Sequence, residues 1–436
     1  MGGMIISNHS FGILAGLYCM VFVSPALALD KALPNPPLTY VFRATTAPSV
    51  GAVKVDDVPY DVERGYGFVS TPDGNEQAFS VRVLEGDYKV AVTIGDANAP
   101  SRTSVWAEDR RLMAAPVVLK KGEVRTLSFI VNVRNPFLAQ AEQDAVKAPK
   151  VGLRGDEAIG RTWDDQLTIS VSGHAPALNS LTIEPVPARR VLLAGDSTVT
   201  DQAGSDYASW GQMLPRFLDG VSVANHARSG ETMKSFLTTA RWDKLMSQTR
   251  PGDIVLIQFA HNDEKKQWPR TYAAADGAYP AFLAALVADV RQSGAFPVLV
   301  TPVARRTFDN GRIKNSHEGY DAAVRRVATE LKVPMIDLTA KTTTLYEALG
   351  PEKSLLAFGN HGKDGTHHNA YGAWQIACYV AHDLGAAGLG LTTVGADACD
   401  PDHPVDPLNY ELQPADWPIM RTPEAPKQGA EAAPVK

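Results

Sequence analysis

From about residue 36 to 186, apolar and polar positions alternate with period two. Phe79, Val81 and Val83 alternate with Ser80 and Arg82. After Glu85-Gly86-Asp87, Tyr88, Val90, Val92 and Ile94 alternate with Lys89, Ala91 and Thr93. This spacing predicts two strands paired as a hairpin with one buried face. Lys120-Lys121-Gly122-Glu123 reads as a turn before Leu127, Phe129, Val131 and Val133. Leu167 to Val171 and Leu181 to Ile183 are further short strands. Many short strands without long helical stripes predict a β-sandwich or jelly roll.

The period changes at Arg189. Uninterrupted apolar runs at 191–194, 221–224, 254–259, 296–300 and 334–336 read as strands. Helical patterns fall between and after them, at about 208–218, 231–248, 279–293, 319–332 and 369–385. Strands that are apolar throughout, alternating with helices, predict a parallel sheet covered on both faces. Gly220 and Gly294 stand where helix C-caps are expected. The prolines at 185 and 187 mark the boundary between the two parts.

The 436-residue length suits two domains with additional ends. Lys and Arg number 42 against 48 Asp and Glu, a net charge of −6, with no long basic cluster. That excludes a nucleic-acid surface of the usual kind. Residues 11–23 form one apolar run, too short for a typical membrane span, followed by Ala26-Leu27-Ala28. A signal peptide over 1–28, cut after Ala28, is therefore expected, although residues 1–10 hold no Lys or Arg. The chain is expected to be secreted or periplasmic. Cys378 and Cys399 remain in the mature chain, and the sequence leaves open whether they form a disulfide or stay reduced. Residues 421–436, rich in Pro, Ala and charge, are expected to form a disordered tail.

Active groups in open α/β sheets collect at the carboxyl ends of strands. The first strand here ends in Gly195-Asp196-Ser197-Thr198, the second in Asn225-His226-Ala227-Arg228-Ser229-Gly230, and the third in Ala260-His261-Asn262-Asp263. Asp364-Gly365-Thr366-His367-His368 precedes the last helix. A serine, a histidine, an aspartate and spare donors at one edge are the inventory of nucleophilic acyl transfer.

On these four blocks the chain resembles the SGNH (GDSL-type) hydrolases, and within them the rhamnogalacturonan acetylesterases. Gly195 to Asp201 is close to the family's G-D-S-T-x-x-D. Gly230 matches the second-block glycine, Asn262 the asparagine of G-H-N-D, and Asp364 with His367 the D-x-T-H. The resemblance covers about 188–390. It implies a flavodoxin-like parallel sheet, with Ser197 as nucleophile, His367 as base and then acid, and Asp364 orienting the imidazole. It also implies an oxyanion hole made by the Ser197 and Gly230 backbone N–H groups and the Asn262 amide. The family usually has glycine where Ala260 stands. His361, Asp364, His367 and His368 have a metal-like density, but the resemblance assigns two of them otherwise, so no metal or cofactor is expected. Asp196 and Asp201 are expected to brace their loop. His226 and His261 either line the pocket or are structural.

Residues 36–186 look like a galactose-binding-like jelly roll, with Tyr66, Trp106 and Trp163 as sugar-stacking candidates that are equally good core residues. The expected layout is the sandwich at 36–186, the catalytic domain at 188–390 and an extension at 391–420. The expected function is a serine esterase deacetylating plant cell-wall polysaccharide, most of all rhamnogalacturonan, acting as a monomer without nucleic-acid or membrane partners. Within the class, the alternatives are an acetyl xylan esterase or another GDSL lipase or esterase. Outside it, the alternative is a non-catalytic carbohydrate-binding protein.

Overall fold

In the computed structural model, residues 37–42, 51–69, 76–138, 149–155, 157–202 and 206–418 are described. The expected signal peptide and the 421–436 tail lie outside them. The period-two region forms ten strands: β1 (Leu38–Val41), β2 (Val53–Lys54), β3 (Tyr66–Phe68), β4 (Glu76–Arg82), β5 (Gly86–Ile94), β6 (Ser101–Ala107), β7 (Arg111–Leu119), β8 (Arg125–Val133), β9 (Gln166–His174) and β10 (Leu178–Pro185). They make two five-stranded sheets, β3-β4-β9-β6-β7 and β2-β1-β10-β5-β8. The inward residues of both, among them Phe79, Val81, Val90, Val92, Val105, Ile169 and Leu181, form one core.

The expected hairpin is corrected. β4 pairs with β3 and β9, whereas β5 pairs with β8 and β10 in the opposite sheet. Alternation identifies which face of a strand is buried but not its neighbour, so two inward faces meeting across a sandwich carry the same pattern as a hairpin. The turn at 120–123 likewise crosses from one sheet to the other.

The second half contains β11 (Arg189–Gly195), α1 (Trp210–Met213), β12 (Leu218–Asp219), β13 (Val221–Asn225), α2 (Met233–Thr238), α3 (Arg241–Gln248), β14 (Ile254–Gln258), α4 (Ala278–Gln292) and β15 (Phe296–Val300). There follow the hairpin β16 (Phe308–Asp309) and β17 (Arg312–Ile313), then α5 (Tyr320–Leu331), β18 (Met335–Ile336), α6 (Leu338–Lys353), α7 (Ala370–Ala386) and β19 (Thr392–Thr393), which pairs with β12. The central sheet is parallel, in the order β13-β11-β14-β15-β18. Val191, Leu193, Ile254 and Leu256 face α1, α6 and α7 on one side. Leu192, Ala194, Val255 and Ile257 face α2 to α5 on the other. Covering on both faces explains why these strands are apolar throughout.

Three local expectations are corrected. The 231–248 helix is two helices, broken at Ala240, whose φ of 59° is left-handed. Gly220 follows β12 and caps no α-helix, whereas Gly294, at φ 77°, follows the end of α4 as expected. Helix α6 adds to the helical patterns of the sequence; Thr339, Thr342, Thr343 and Thr344 lower its intrinsic propensity. Its Asp337 N-cap and the buried Leu338, Thr342, Leu345 and Tyr346 at helical spacing are nevertheless present.

The sandwich and the α/β part belong to one compact unit. At their junction the buried Asp87 carboxylate on β5 accepts from Arg190 Nε (2.7 Å), Asn132 Nδ2 (2.8 Å) and Ser222 Oγ (2.7 Å). The 391–418 extension is tied to α7 by the Cys378–Cys399 disulfide and returns to the sandwich. There Arg102 Nη2 pairs with Asp416 at 2.7 Å, and Trp106 Nε1 donates to the Asp416 carbonyl at 3.0 Å. Substituting Asp87→Ala leaves the Arg190 guanidinium buried without its carboxylate. This variant is expected to lose about 3–5 kcal/mol of unfolding free energy in urea titrations. A loss near zero would show that the junction does not depend on this pair.

Candidate active site

The strand order reverses direction between β11 and β14, the switch point at whose carboxyl ends open α/β sheets carry their sites. Ser197 follows β11. Its loop is a tight turn in which Asp196 Oδ1 accepts from both the N–H and the hydroxyl of Thr198 at 2.9 Å. Ser209 Oγ and Gln202 Nε2 donate to the Ser197 carbonyl at 2.6 and 2.8 Å, which fixes the serine backbone. A Cβ at Gly195 would lie 2.9 Å from the Gln258 carbonyl, so glycine permits this close approach of β11 and β14.

The loop before α7 delivers the other two groups. Ser197 Oγ lies 2.9 Å from His367 Nε2, and His367 Nδ1 lies 2.9 Å from Asp364 Oδ2. Asp364 Oδ1 accepts the backbone N–H groups of Thr366 and His367 at 2.7 and 2.9 Å. Burial alone would raise the Asp364 carboxyl. The two backbone donors and the His367 side chain outweigh it and hold the group below its usual value. The loop itself is pinned by Gly359 N–H to the His367 carbonyl (2.9 Å) and Arg306 N–H to the Gly365 carbonyl (2.7 Å). Serine, imidazole and carboxylate thus stand in line, with the hydroxyl able to pass its proton to Nε2 while Nδ1–H faces the carboxylate.

The three expected oxyanion donors follow the carboxyl ends of the neighbouring strands β11, β13 and β14. Neither the Ser197 nor the Gly230 backbone N–H has an acceptor among the described residues. Gly230 holds φ 81°, a left-handed conformation that favours glycine. Asn262 Nδ2 donates one hydrogen to the Glu231 carbonyl at 3.0 Å, and Oδ1 accepts from Lys265 Nζ at 2.8 Å. These two bonds fix which end of the amide carries hydrogens and leave its second N–H free for a ligand oxygen.

Asp196 and Asp201 brace the loop. Asp196 Oδ2 meets His261 Nδ1 at 3.0 Å, and Asp201 accepts from Arg111 Nε at 2.7 Å and Asn225 Nδ2 at 2.8 Å. His261 is buried between Asp196 and the Val303 carbonyl, and His226 is buried against Trp163, so both are structural. His361 turns to solvent beside Asp206 while His368 is buried against Tyr346, so the metal-like density of the sequence does not converge. Trp106 and Trp163 are core residues, and Tyr66 packs on Tyr40 and Phe79.

Tyr207, Lys265 and Arg154 escaped the sequence reading. The Tyr207 ring stands edge-on to His367 at 6.0 Å. Lys265 left a usable signal, lying three residues after Asn262 in a turn. Arg154 left none, because its approach to Gly230 is made across the fold.

Two residues beside Asn262 carry measurable consequences. Ala260 holds φ 145°, where a Cβ is disfavoured and glycine is at ease, so the glycine usual in the resembled family suits the backbone better. Ala260→Gly is expected to raise unfolding free energy by up to about 1 kcal/mol, and a lower Tm would contradict this. Asp263 is buried; its Oδ1 accepts from Met233 N–H at 3.0 Å and its Oδ2 has no partner among the described residues. Burial pushes this carboxyl from 3.8 up to about 8. The folded chain therefore keeps a proton that the unfolded chain releases between about pH 4 and 8, and stability falls as pH rises through that window. Melting at about pH 5 and about pH 8 is expected to show a smaller drop in Tm for Asp263→Asn than for the unsubstituted protein. Equal drops would mean that Asp263 ionises normally.

Residues 193–374 match the model of the GDSL-like lipase/acylhydrolase family. The rhamnogalacturonan acetylesterase RhgT of Bacillus subtilis is 40% identical over 217 residues, spanning 46% of this chain and 92% of RhgT. The probable rhamnogalacturonan acetylesterase YesY of the same organism is 34% identical over 209 residues, spanning 47% of this chain and 96% of YesY. The crystal structure of the protein YXIM from Bacillus subtilis aligns at 23% identity with a TM-score of 0.46, over 81% of this chain and 99% of that one.

Proposed function

Because the chain belongs to the GDSL-like lipase/acylhydrolase family and is a carboxylic ester hydrolase, we propose that it removes O-acetyl groups from plant cell-wall polysaccharide, with rhamnogalacturonan as the substrate. The observation that carries the reading is the unbroken line from Ser197 Oγ through His367 to Asp364, with both bonds at 2.9 Å. The polymer is argued from the two acetylesterases named above, each similar over just under half of the chain.

In the proposed reaction Ser197 Oγ attacks the acetyl carbonyl carbon and its proton passes to His367 Nε2. Asp364 stabilises the imidazolium that forms. The carbonyl oxygen becomes an oxyanion and is met by the Ser197 and Gly230 N–H groups and the second Asn262 N–H. Collapse breaks the bond to the sugar oxygen, which takes the proton from His367 and leaves as an alcohol. Water then loses a proton to His367 and attacks acetyl-Ser197, and a second collapse releases acetate and restores the serine. No further co-reactant enters the balance. The signal-like N-terminus and the disulfide support a site of action outside the cytoplasm.

Acetate release is to be measured on acetylated rhamnogalacturonan, homogalacturonan and xylan, with Ser197→Ala alongside. The expected result is fastest release from rhamnogalacturonan and a fall of at least about 10³-fold in the variant. Turnover by Ser197→Ala equal to that of the unsubstituted enzyme would sink the mechanism. Faster release from xylan would reassign the polymer.

A further inference from the structure

Between β8 and β9 the chain leaves the sandwich, and the described part of this excursion, 134–138, 149–155 and 157–165, packs behind the loop that carries Gly230. Arg134 donates to the Asn225 carbonyl. The Arg134 and Arg241 guanidinium groups lie over the Trp163 ring, which meets His226 edge-on. Gly152 N–H donates to the Thr239 carbonyl at 2.9 Å. Glu157 pairs with Arg241 at 2.6 Å and Arg228 at 3.2 Å. Its carboxylate also accepts the Arg154 backbone N–H at 3.0 Å, so Arg154 is itself held in place.

We propose that Arg154 is a positioning residue for the oxyanion donors, so that the sandwich half of the chain completes the esterase site. Its Nη1 donates to the Ser229 carbonyl at 3.0 Å, and its Nη2 to the Glu231 carboxylate at 3.0 Å. The Ser229 carbonyl and the Gly230 N–H belong to one rigid peptide plane. A guanidinium on the carbonyl end therefore sets the direction of the N–H at the other end and strengthens it as a donor by polarising the unit. The second contact acts on the other donor. Glu231 is fully buried, and its own carbonyl accepts from Asn262 Nδ2 at 3.0 Å. One planar fork thus spans the residues on both sides of Gly230 and reaches Asn262 through Glu231. A lysine, with a single ammonium, cannot bridge both acceptors in this way. Arg154 keeps 47% of its side chain exposed, so its removal leaves no cavity. Among the described residues, the Arg154 Nη1 is the one atom within 4 Å of a Cβ built on Gly230, at 3.1 Å, so the guanidinium lies directly against this glycine.

The inference rests on the esterase reading above, and the experiment separates the two. Steady-state hydrolysis of 4-nitrophenyl acetate is compared for the full chain, Arg154→Ala, Arg154→Lys and Ser197→Ala, with Tm measured for each. Expected for Arg154→Ala is a fall in kcat of roughly 10- to 100-fold, with KM and Tm close to those of the unsubstituted enzyme. Arg154→Lys should fall between the two. Low millimolar guanidinium should raise kcat of Arg154→Ala and leave the unsubstituted enzyme unchanged. Full activity of Arg154→Ala beside an inactive Ser197→Ala overturns the inference and leaves the esterase reading standing. A loss of kcat that follows a lowered Tm and is not rescued by guanidinium also overturns it, by showing a merely structural contact. Turnover by Ser197→Ala equal to that of the unsubstituted enzyme removes the esterase reading itself. Should Arg154→Ala fail to fold, Arg154→Gln is judged by the same criteria.

Discussion

The hydrogen bond between Ser197 Oγ and His367 Nε2 joins positions 170 residues apart, and most of the α/β architecture serves to hold that distance. A proton moves between these atoms only if two loops from opposite ends of the half-chain hold their separation within a fraction of an ångström. The parallel sheet fixes one loop, because β11 lies buried between β13 and β14 and ends in a turn closed by Asp196. Helix α7, packed along the same sheet face, fixes the other. Asp364 adds rigidity at short range: one carboxylate orients the imidazole and, through two backbone N–H groups, the loop that bears it.

The sandwich is part of this arrangement. Asp87, Glu85 and Arg134 on its edge make buried polar contacts with β11, β13 and α3, and Trp106 of β6 packs into the same apolar cluster as Val191 and Leu193. Buried charged groups demand defined partners, and a misplaced one is strongly unfavourable. Such a junction therefore sets one relative orientation of the two halves, as a purely apolar interface would not. The C-terminal strap repeats the device on the other side through Arg102 and Asp416.

The strands of the parallel sheet were legible because both of their faces are buried, which leaves uninterrupted apolar runs. The candidate site was legible because its residues cluster in short blocks at strand ends. Strand pairing in the sandwich was not, since β4 and β5 carry the same alternation whether they pair or face each other across the core. Helix α6 was hidden by threonines whose weak propensity is overridden by packing of Leu338, Leu345 and Tyr346.

The sequence by itself determined the class of fold, the order of the blocks and the residue types at the strand ends, because local periodicity and side-chain chemistry are written one residue at a time. Tertiary structure alone decided that the cysteines at 378 and 399 meet, that Lys265 holds the Asn262 amide, and that Arg154 reaches the Gly230 loop. The reason is physical: the meeting of the cysteines and the reach of Arg154 depend on where distant backbone segments come to rest, and the Lys265 contact depends on how its turn closes. Those positions follow from the summed packing of the whole chain and from no local pattern.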